Sequence, residues 1–204
     1  MEQMRRKVIL VTDGDHIAQK AVESVAREMG GRCISLSAGN PTPVRGEQVV
    51  ELIKMTPHDP VIVMFDDNGD YGKGRGERAI EYVALHPDIE VIGVIAVASN
   101  TKWVHGATVA YSVDNQGQIV EEAVDKDGYA DEQLQHRIYG DTVDILNTLK
   151  LPNVIGIGDI GKMDGRDSLQ NGCPITKRAV QWIMERSGAY DDSHREKTAD
   201  LRAD

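Results

Sequence analysis

The chain has 204 residues, and its 23 Lys and Arg residues against 33 Asp and Glu residues give a formal net charge of −10. A chain of this length can bury one core, and its negative charge would repel a phosphate backbone, which excludes nucleic acid as a general partner. Two cysteines, Cys33 and Cys173, are too few for a disulfide framework or a cysteine zinc site. No stretch has the roughly 20 apolar residues of a transmembrane helix or the pattern of a signal peptide, so the sequence predicts a soluble protein.

The first half of the chain alternates apolar runs with segments of helical period. This alternation is typical of βαβ units and a mostly parallel sheet. The run EVIGVIAVA is nearly continuous in apolar residues, as expected of a central strand covered on both faces. The pattern predicts strands over residues 7–12, 33–36, 60–65 and 90–98, and helices that include residues 18–29, 49–55 and 80–84.

The second half is less regular. Two alternating runs on either side of Asn115, Gln116 and Gly117 predict a β-hairpin. A helix over residues 141–149, a strand over residues 153–157 and a last helix opened by Pro174 follow. We therefore expect one α/β domain over residues 1–187, a Rossmann-like or flavodoxin-like three-layer sandwich with an irregular hairpin, and a polar, frayed tail over residues 188–204.

Carboxylates follow the first and third predicted strands. Ligands of open α/β sheets bind beyond the carboxyl ends of the strands, and a flavodoxin-like order makes these two strands neighbours. Carboxylates that share one crevice repel each other unless a hard cation compensates them. The sequence thus predicts a Ca²⁺ or Mg²⁺ site at Asp13, Asp15, Asp66, Asp67 and Asp70. In the alternative interpretation, Asp13 or Asp15 caps a helix, and the later aspartates form a solvated turn.

Two other loops carry groups that suit an anionic ligand. The glycines of YGKGRGE let backbone amides approach an anion, and the loop after the fourth strand, SNTKW, offers an aromatic ring, an ammonium group and an amide. The candidate ligand-binding residues are Lys73, Gly74, Asn100, Lys102 and Trp103.

Common catalytic and nucleotide motifs are incomplete in this chain. GIGDIG has the glycine spacing of a dinucleotide-binding loop, but no helix follows it directly. Cys173 precedes a helix without a histidine at a diagnostic spacing, and no G-x-S-x-G sequence occurs. Neither a nucleotide-binding enzyme nor a thiol or serine hydrolase is indicated.

Four stretches in combination, RRKVILVTDGD, GGRCISLSAGNPTP, DPVIVMFDDNGDYGKGRGERA and HPDIEVIGVIAVASNTKW, resemble the soluble stage V sporulation protein AE family of endospore-forming bacteria. The resemblance implies a role in sporulation or germination, in the forespore or spore and at the periphery of its inner membrane. It also implies other stage V sporulation A proteins as partners, whose membrane members are implicated in moving calcium and dipicolinic acid. It supplies no catalytic residue.

Three functions follow as hypotheses. The first is a non-enzymatic accessory protein linked to calcium and dipicolinate, with a ligand pocket at the strand ends. The second is a metal-dependent phosphoryl-transfer or hydrolytic enzyme that uses the acidic loops. The third is a structural adaptor that docks on membrane components. The sequence leaves the oligomeric state open, a homodimer included.

Overall fold

A computed structural model describes residues 4–69, 73–101 and 104–189, which form nine strands and five α-helices. The strands are β1 (Arg6–Val11), β2 (Arg32–Cys33), β3 (Val61–Met64), β4 (Ile89–Val97), β5 (Ala107–Thr108), β6 (Tyr111–Val113), β7 (Ile119–Val120), β8 (Arg137–Ile138) and β9 (Val154–Ile157). The helices are α1 (His16–Glu28), α2 (Gly46–Met55), α3 (Arg75–Leu85), α4 (Leu146–Leu149) and α5 (Pro174–Ser187).

Seven of these strands form one sheet in the order β2-β3-β1-β4-β9-β6-β7. Every neighbouring pair in it is parallel except β6 with β7. The predicted pairing of the first and third strands as parallel neighbours is confirmed. In both the Rossmann and flavodoxin-like orders the second strand pairs with the first, whereas here β2 pairs only with β3.

Helices cover both faces of the sheet. Ile9 and Val11 of β1 pack with α1 and α5, while Val8 and Leu10 pack with α2 and α3 on the opposite face. Successive side chains of a strand point to opposite faces, so a strand covered on both sides must be apolar throughout. The mostly parallel, three-layer α/β architecture predicted from the sequence is confirmed.

The second strand is shorter than predicted. It ends at Cys33, and Ser35–Ser37 form a 3₁₀ turn. The hydroxyl of Ser37 donates to the carbonyl of Ile34 and accepts a hydrogen bond from the amide of Met64. These local bonds take the chain out of the sheet, so the prediction of a strand to residue 36 was wrong.

The helix predicted over residues 141–149 is also shorter, because only Leu146–Leu149 are helical. Thr142 has a φ of 61°, which a right-handed helix does not allow. The amide of Asp141 donates to the hydroxyl of Ser99, and its carboxylate accepts from the amide of Gly69. Tertiary contacts therefore override the helical pattern of this segment.

The predicted hairpin is present as β6 and β7. The carboxylate of Asp114 accepts hydrogen bonds from the amides of Gln116 and Gln118, and Gly117 has a φ of 79°. No helix within the described ranges combines the length and apolar content needed to cross a membrane. Four predicted features lie outside the described residues, namely Asp70, Lys102, Trp103 and most of the tail.

Candidate functional site

An open cleft of about 460 Å³ lies at the carboxyl ends of β1, β3, β4 and β9. The acidic loops predicted to share one edge of the sheet do meet there, which confirms that expectation. The lining residues have mostly oxygen-bearing side chains, and among them are Thr12, Asp13, Asp15, Asn40, Asp66, Asn68, Ser99, Asn100, Thr101, Asp141, Asp159 and Lys162.

Asp13 lies on the floor of this acidic cleft, two residues after β1. Its side chain is almost buried, with 9% relative exposure, and Oδ1 accepts a hydrogen bond of 3.1 Å from the amide of Asp15. Burial raises the pKa of Asp13 to about 7, and the charges of Asp15, Asp159 and Asp66 raise it further against that hydrogen bond. No Lys or Arg of the described ranges forms an ion pair with Asp13.

Asp15 has two roles. Its Oδ1 caps α1 by accepting from the amides of Ile17 and Ala18 at 2.8 and 2.9 Å, as the capping alternative predicts. Its Oδ2 accepts from Nζ of Lys162 at 2.6 Å. Burial acts to raise the pKa of Asp15, but the bonds from Lys162 and the helix amides hold that pKa below its ordinary value.

Lys162 bridges two carboxylates that belong to different elements. Besides Asp15, Nζ donates to both oxygens of Asp159 at 3.0 and 3.1 Å. Burial alone would lower the pKa of Lys162, but the bonds to Asp15 and Asp159 raise it. For Asp159, burial raises the pKa in spite of its bonds with Lys162. This lysine therefore neutralises one part of the cleft.

Asp66 and Asp141 form the other wall. Asp66 is 5% exposed, and its Oδ1 accepts from the amide of Asn68 at 2.7 Å. Burial, followed by the neighbouring charge of Asp141, raises the pKa of Asp66 to about 7. Oδ2 of Asp141 accepts from the amide of Gly69 at 2.5 Å. Neither carboxylate has an ion pair with a basic residue of the described ranges.

Three predicted residues lie away from the cleft. The carboxylate of Asp67 accepts from the amides of Gly76 and Glu77 at 2.5 and 3.0 Å, and so it caps α3. Gly74 packs so closely that an added Cβ would lie 2.1 Å from Oδ1 of Asp67. Lys73 pairs with Glu81 at 2.5 Å. Asn100, in contrast, lines the cleft.

Asp167 holds the loop that carries Asp159 and Lys162. This carboxylate is fully buried and accepts four hydrogen bonds. Two come from the amides of Ile175 and Thr176 at 2.9 Å, one from the Thr176 hydroxyl at 2.5 Å and one from the amide of Gly161 at 2.9 Å. The loop after β9 is thereby fixed to the first turn of α5.

Both cysteine thiols are poorly placed for catalysis. Burial, with a smaller contribution from Glu23, raises the pKa of Cys33 to about 12. Burial, with a smaller contribution from Asp167, raises the pKa of Cys173 to about 11. Burial therefore disfavours the thiolate form of both residues.

Comparison with known protein families gives a match over almost the whole chain. The family model described as Stage V sporulation protein AE1 matches residues 7–187. The chain belongs to this family. Stage V sporulation protein AE1 is a sporulation-related family, and the matched region includes every residue that lines the cleft. Neither a curated protein nor a solved structure matches the chain.

The donor set of this stage V sporulation protein fits a hard divalent cation. One carboxylate oxygen each from Asp13, Asp15 and Asp159 lie within 4.8 Å of one another. Ca²⁺ holds oxygen ligands at roughly 2.3–2.6 Å, so such oxygens can share one ion. Lys162 already contacts Asp15 and Asp159, which means that an incoming cation would displace or share its ammonium group.

Proposed function

We propose that this sporulation protein is a non-enzymatic accessory factor that binds a divalent cation, Ca²⁺ or Mg²⁺, in the acidic cleft. The observation that carries the proposal is Asp13, a nearly buried carboxylate that faces an open cleft without a basic partner among the described residues. Burying an unpaired carboxylate costs free energy, and a bound cation removes that cost.

The charge balance of the cleft supports the same function. Among the described lining residues, one lysine faces five aspartates, Asp13, Asp15, Asp66, Asp141 and Asp159. Lys162 compensates only the Asp15 and Asp159 side of the cleft. Asp13 and Asp66 remain, each with a pKa raised to about 7, so a divalent ion can bind there by displacing protons.

The family resemblance suggests where such binding is used. Calcium and dipicolinate handling in the forespore or spore, beside other stage V sporulation A proteins at the inner membrane, would supply both a cation and a planar anion. Asn100 lines the cleft, and Lys102 and Trp103 follow it closely in sequence, so dipicolinate is proposed to bind beside the cation. Deletion of the protein should then alter germination or the dipicolinate content of spores.

Titration calorimetry tests the cation site directly. We expect the chelator-treated protein to bind Ca²⁺ or Mg²⁺ at millimolar metal at pH 8, and to bind more weakly at pH 6, because protons compete for Asp13 and Asp66. The double change Asp13→Asn with Asp66→Asn should lower the affinity at least about tenfold, since it removes the charge of one candidate ligand, Asp13, and a second negative charge of the cleft.

Asp67→Asn is the matched control. It removes one carboxylate charge next to Asp66 in sequence, but Asp67 caps α3 instead of lining the cleft. Cation affinity should stay within about twofold of the native value, since the Asp67 side chain is buried against the first turn of α3, where Gly76 and Glu77 donate to it. The proposal is wrong if the native protein binds neither ion, or if Asp67→Asn weakens binding as much as the double change does.

A metal-dependent hydrolase is the second candidate, and the pKa of Asp13 favours it. A carboxylate with a pKa of about 7 in an open cleft is suited to act as a general base at neutral pH. The accessory function predicts no turnover of phosphomonoesters, phosphodiesters or nucleotides with Mg²⁺ or Mn²⁺. Turnover that Asp13→Asn abolishes would make the enzyme the better assignment.

A further inference from the structure

A second cavity, of about 480 Å³, lies between α2 and α3. Three of its lining residues are arginines, Arg45, Arg75 and Arg78, and one is acidic, Glu47. The other lining residues in the described part of the chain are Val44, Gly46, Ala79 and Tyr82. This basic cavity shares no lining residue with the acidic cleft. Its size falls in the range of small-molecule sites, roughly 300–1,000 Å³.

The guanidinium groups of the basic cavity have no acidic partners within the described part of the chain. Arg75 donates to the carbonyl of Pro43 at 2.9 Å, and Arg78 donates to the carbonyls of Gly74 and Lys73 at 3.0 and 2.8 Å. Carbonyls position these groups without neutralising them. In a protein of net charge −10, three arginines without carboxylate partners leave a local positive charge.

The first turn of α2 adds hydrogen-bond donors to this cavity. The corresponding amides of α3, those of Gly76 and Glu77, are capped by Asp67. Residues 46 and 47 open α2 and line the cavity, and no acceptor for their amides occurs among the described residues. Helix-terminal amides and guanidinium groups both favour oxyanions, and guanidinium groups bind carboxylate or phosphate through paired hydrogen bonds.

We propose that the basic cavity binds a small oxyanion that carries at least two negative charges, as a phosphate or a dicarboxylate. Three positive side chains against Glu47 leave two positive charges for the ligand to balance. The ring of Tyr82 is 40% exposed at the edge of the cavity, so a ligand with an aromatic ring gains further contact area.

Calorimetry at low salt with three probes tests this site: inorganic phosphate, phenyl phosphate and benzene-1,3-dicarboxylate. The native protein should bind at least one of them, and the one it prefers identifies the anion as phosphate or carboxylate. Arg75→Gln with Arg78→Gln should weaken binding at least about tenfold. Glu47→Gln should strengthen it severalfold, because it removes the one negative charge of the lining.

Arg32→Gln is the matched control, since Arg32 is also exposed and donates to a backbone carbonyl, that of Gly31. It should leave binding unchanged. The Glu47→Gln result keeps the test decisive if the double arginine variant folds poorly. The proposal is overturned if no probe binds the native protein, if Arg32→Gln weakens binding equally, or if a polyglutamate peptide binds while all three small anions fail.

Discussion

Replacement of Asp167 by Asn is expected to lower the free energy of unfolding by about 3 kcal/mol or more, because charged hydrogen bonds contribute about 1.5–3 kcal/mol each. The buried carboxylate of Asp167 accepts four hydrogen bonds, three of them from the first turn of α5. An asparagine has one acceptor oxygen and brings an amide group that opposes other donors. Urea unfolding followed by circular dichroism measures the loss.

The matched control for this change is Asp164→Asn. Asp164 lies in the same loop but is exposed, with a φ of 54° that asparagine also tolerates. Its replacement should change the free energy of unfolding by less than about 0.5 kcal/mol. A loss below about 1 kcal/mol for Asp167→Asn would show that the carboxylate does not hold the loop.

Replacement of Asp13 by Asn is expected to stabilise the cation-free protein at pH 8, by about 3 kcal/mol. The pKa of Asp13 is raised from 3.8 to about 7 in the folded protein, so the folded state binds a proton that the unfolded state releases. The stability that this proton supplies is fully present below pH 4 and is lost as the pH rises through 7. Asparagine stays neutral and keeps an acceptor oxygen for the amide of Asp15.

The pH profile distinguishes this effect from a general change in packing. The difference in free energy of unfolding between Asp13→Asn and the native chain should grow steadily from pH 4 to pH 8, measured by urea unfolding in the presence of a chelator. Asp164→Asn should show no such trend. A constant difference across the pH range would mean that the Asp13 carboxylate is ionised in the folded protein.

Much of the fold could be predicted because its strands are buried on both faces. A parallel core was predicted from the apolar runs VILV, VIVM and VIGVIAV, and the start of α5 was predicted from Pro174. The apolar runs and the proline are local signals, which can be read from a short segment without knowledge of distant contacts. The strand ends, and with them Asp13 and Asp66, could therefore be placed at one edge of the sheet.

The missing part of the site depends on contacts between distant segments. Asp159 and Lys162 follow β9, and the strand-end rule that selected Asp13 applies equally there. The glycine spacing of GIGDIG resembles a nucleotide-binding loop, and Asp159 within it was not predicted as a site residue. Asp141 falls in a segment whose pattern predicts a helix. Its hydrogen bonds with Ser99 and Gly69, which are distant in sequence, hold it at the cleft.

The two cysteines differ in exposure, because Cys173 is fully buried whereas Cys33 is partly exposed. Burial raises the pKa of Cys33 to about 12 and the pKa of Cys173 to about 11, which disfavours the thiolate form of both residues. Alkylating and oxidising agents attack the thiolate, and they reach Cys173 only when the chain opens, because this side chain is fully buried. Covalent labelling of Cys173 therefore records unfolding events.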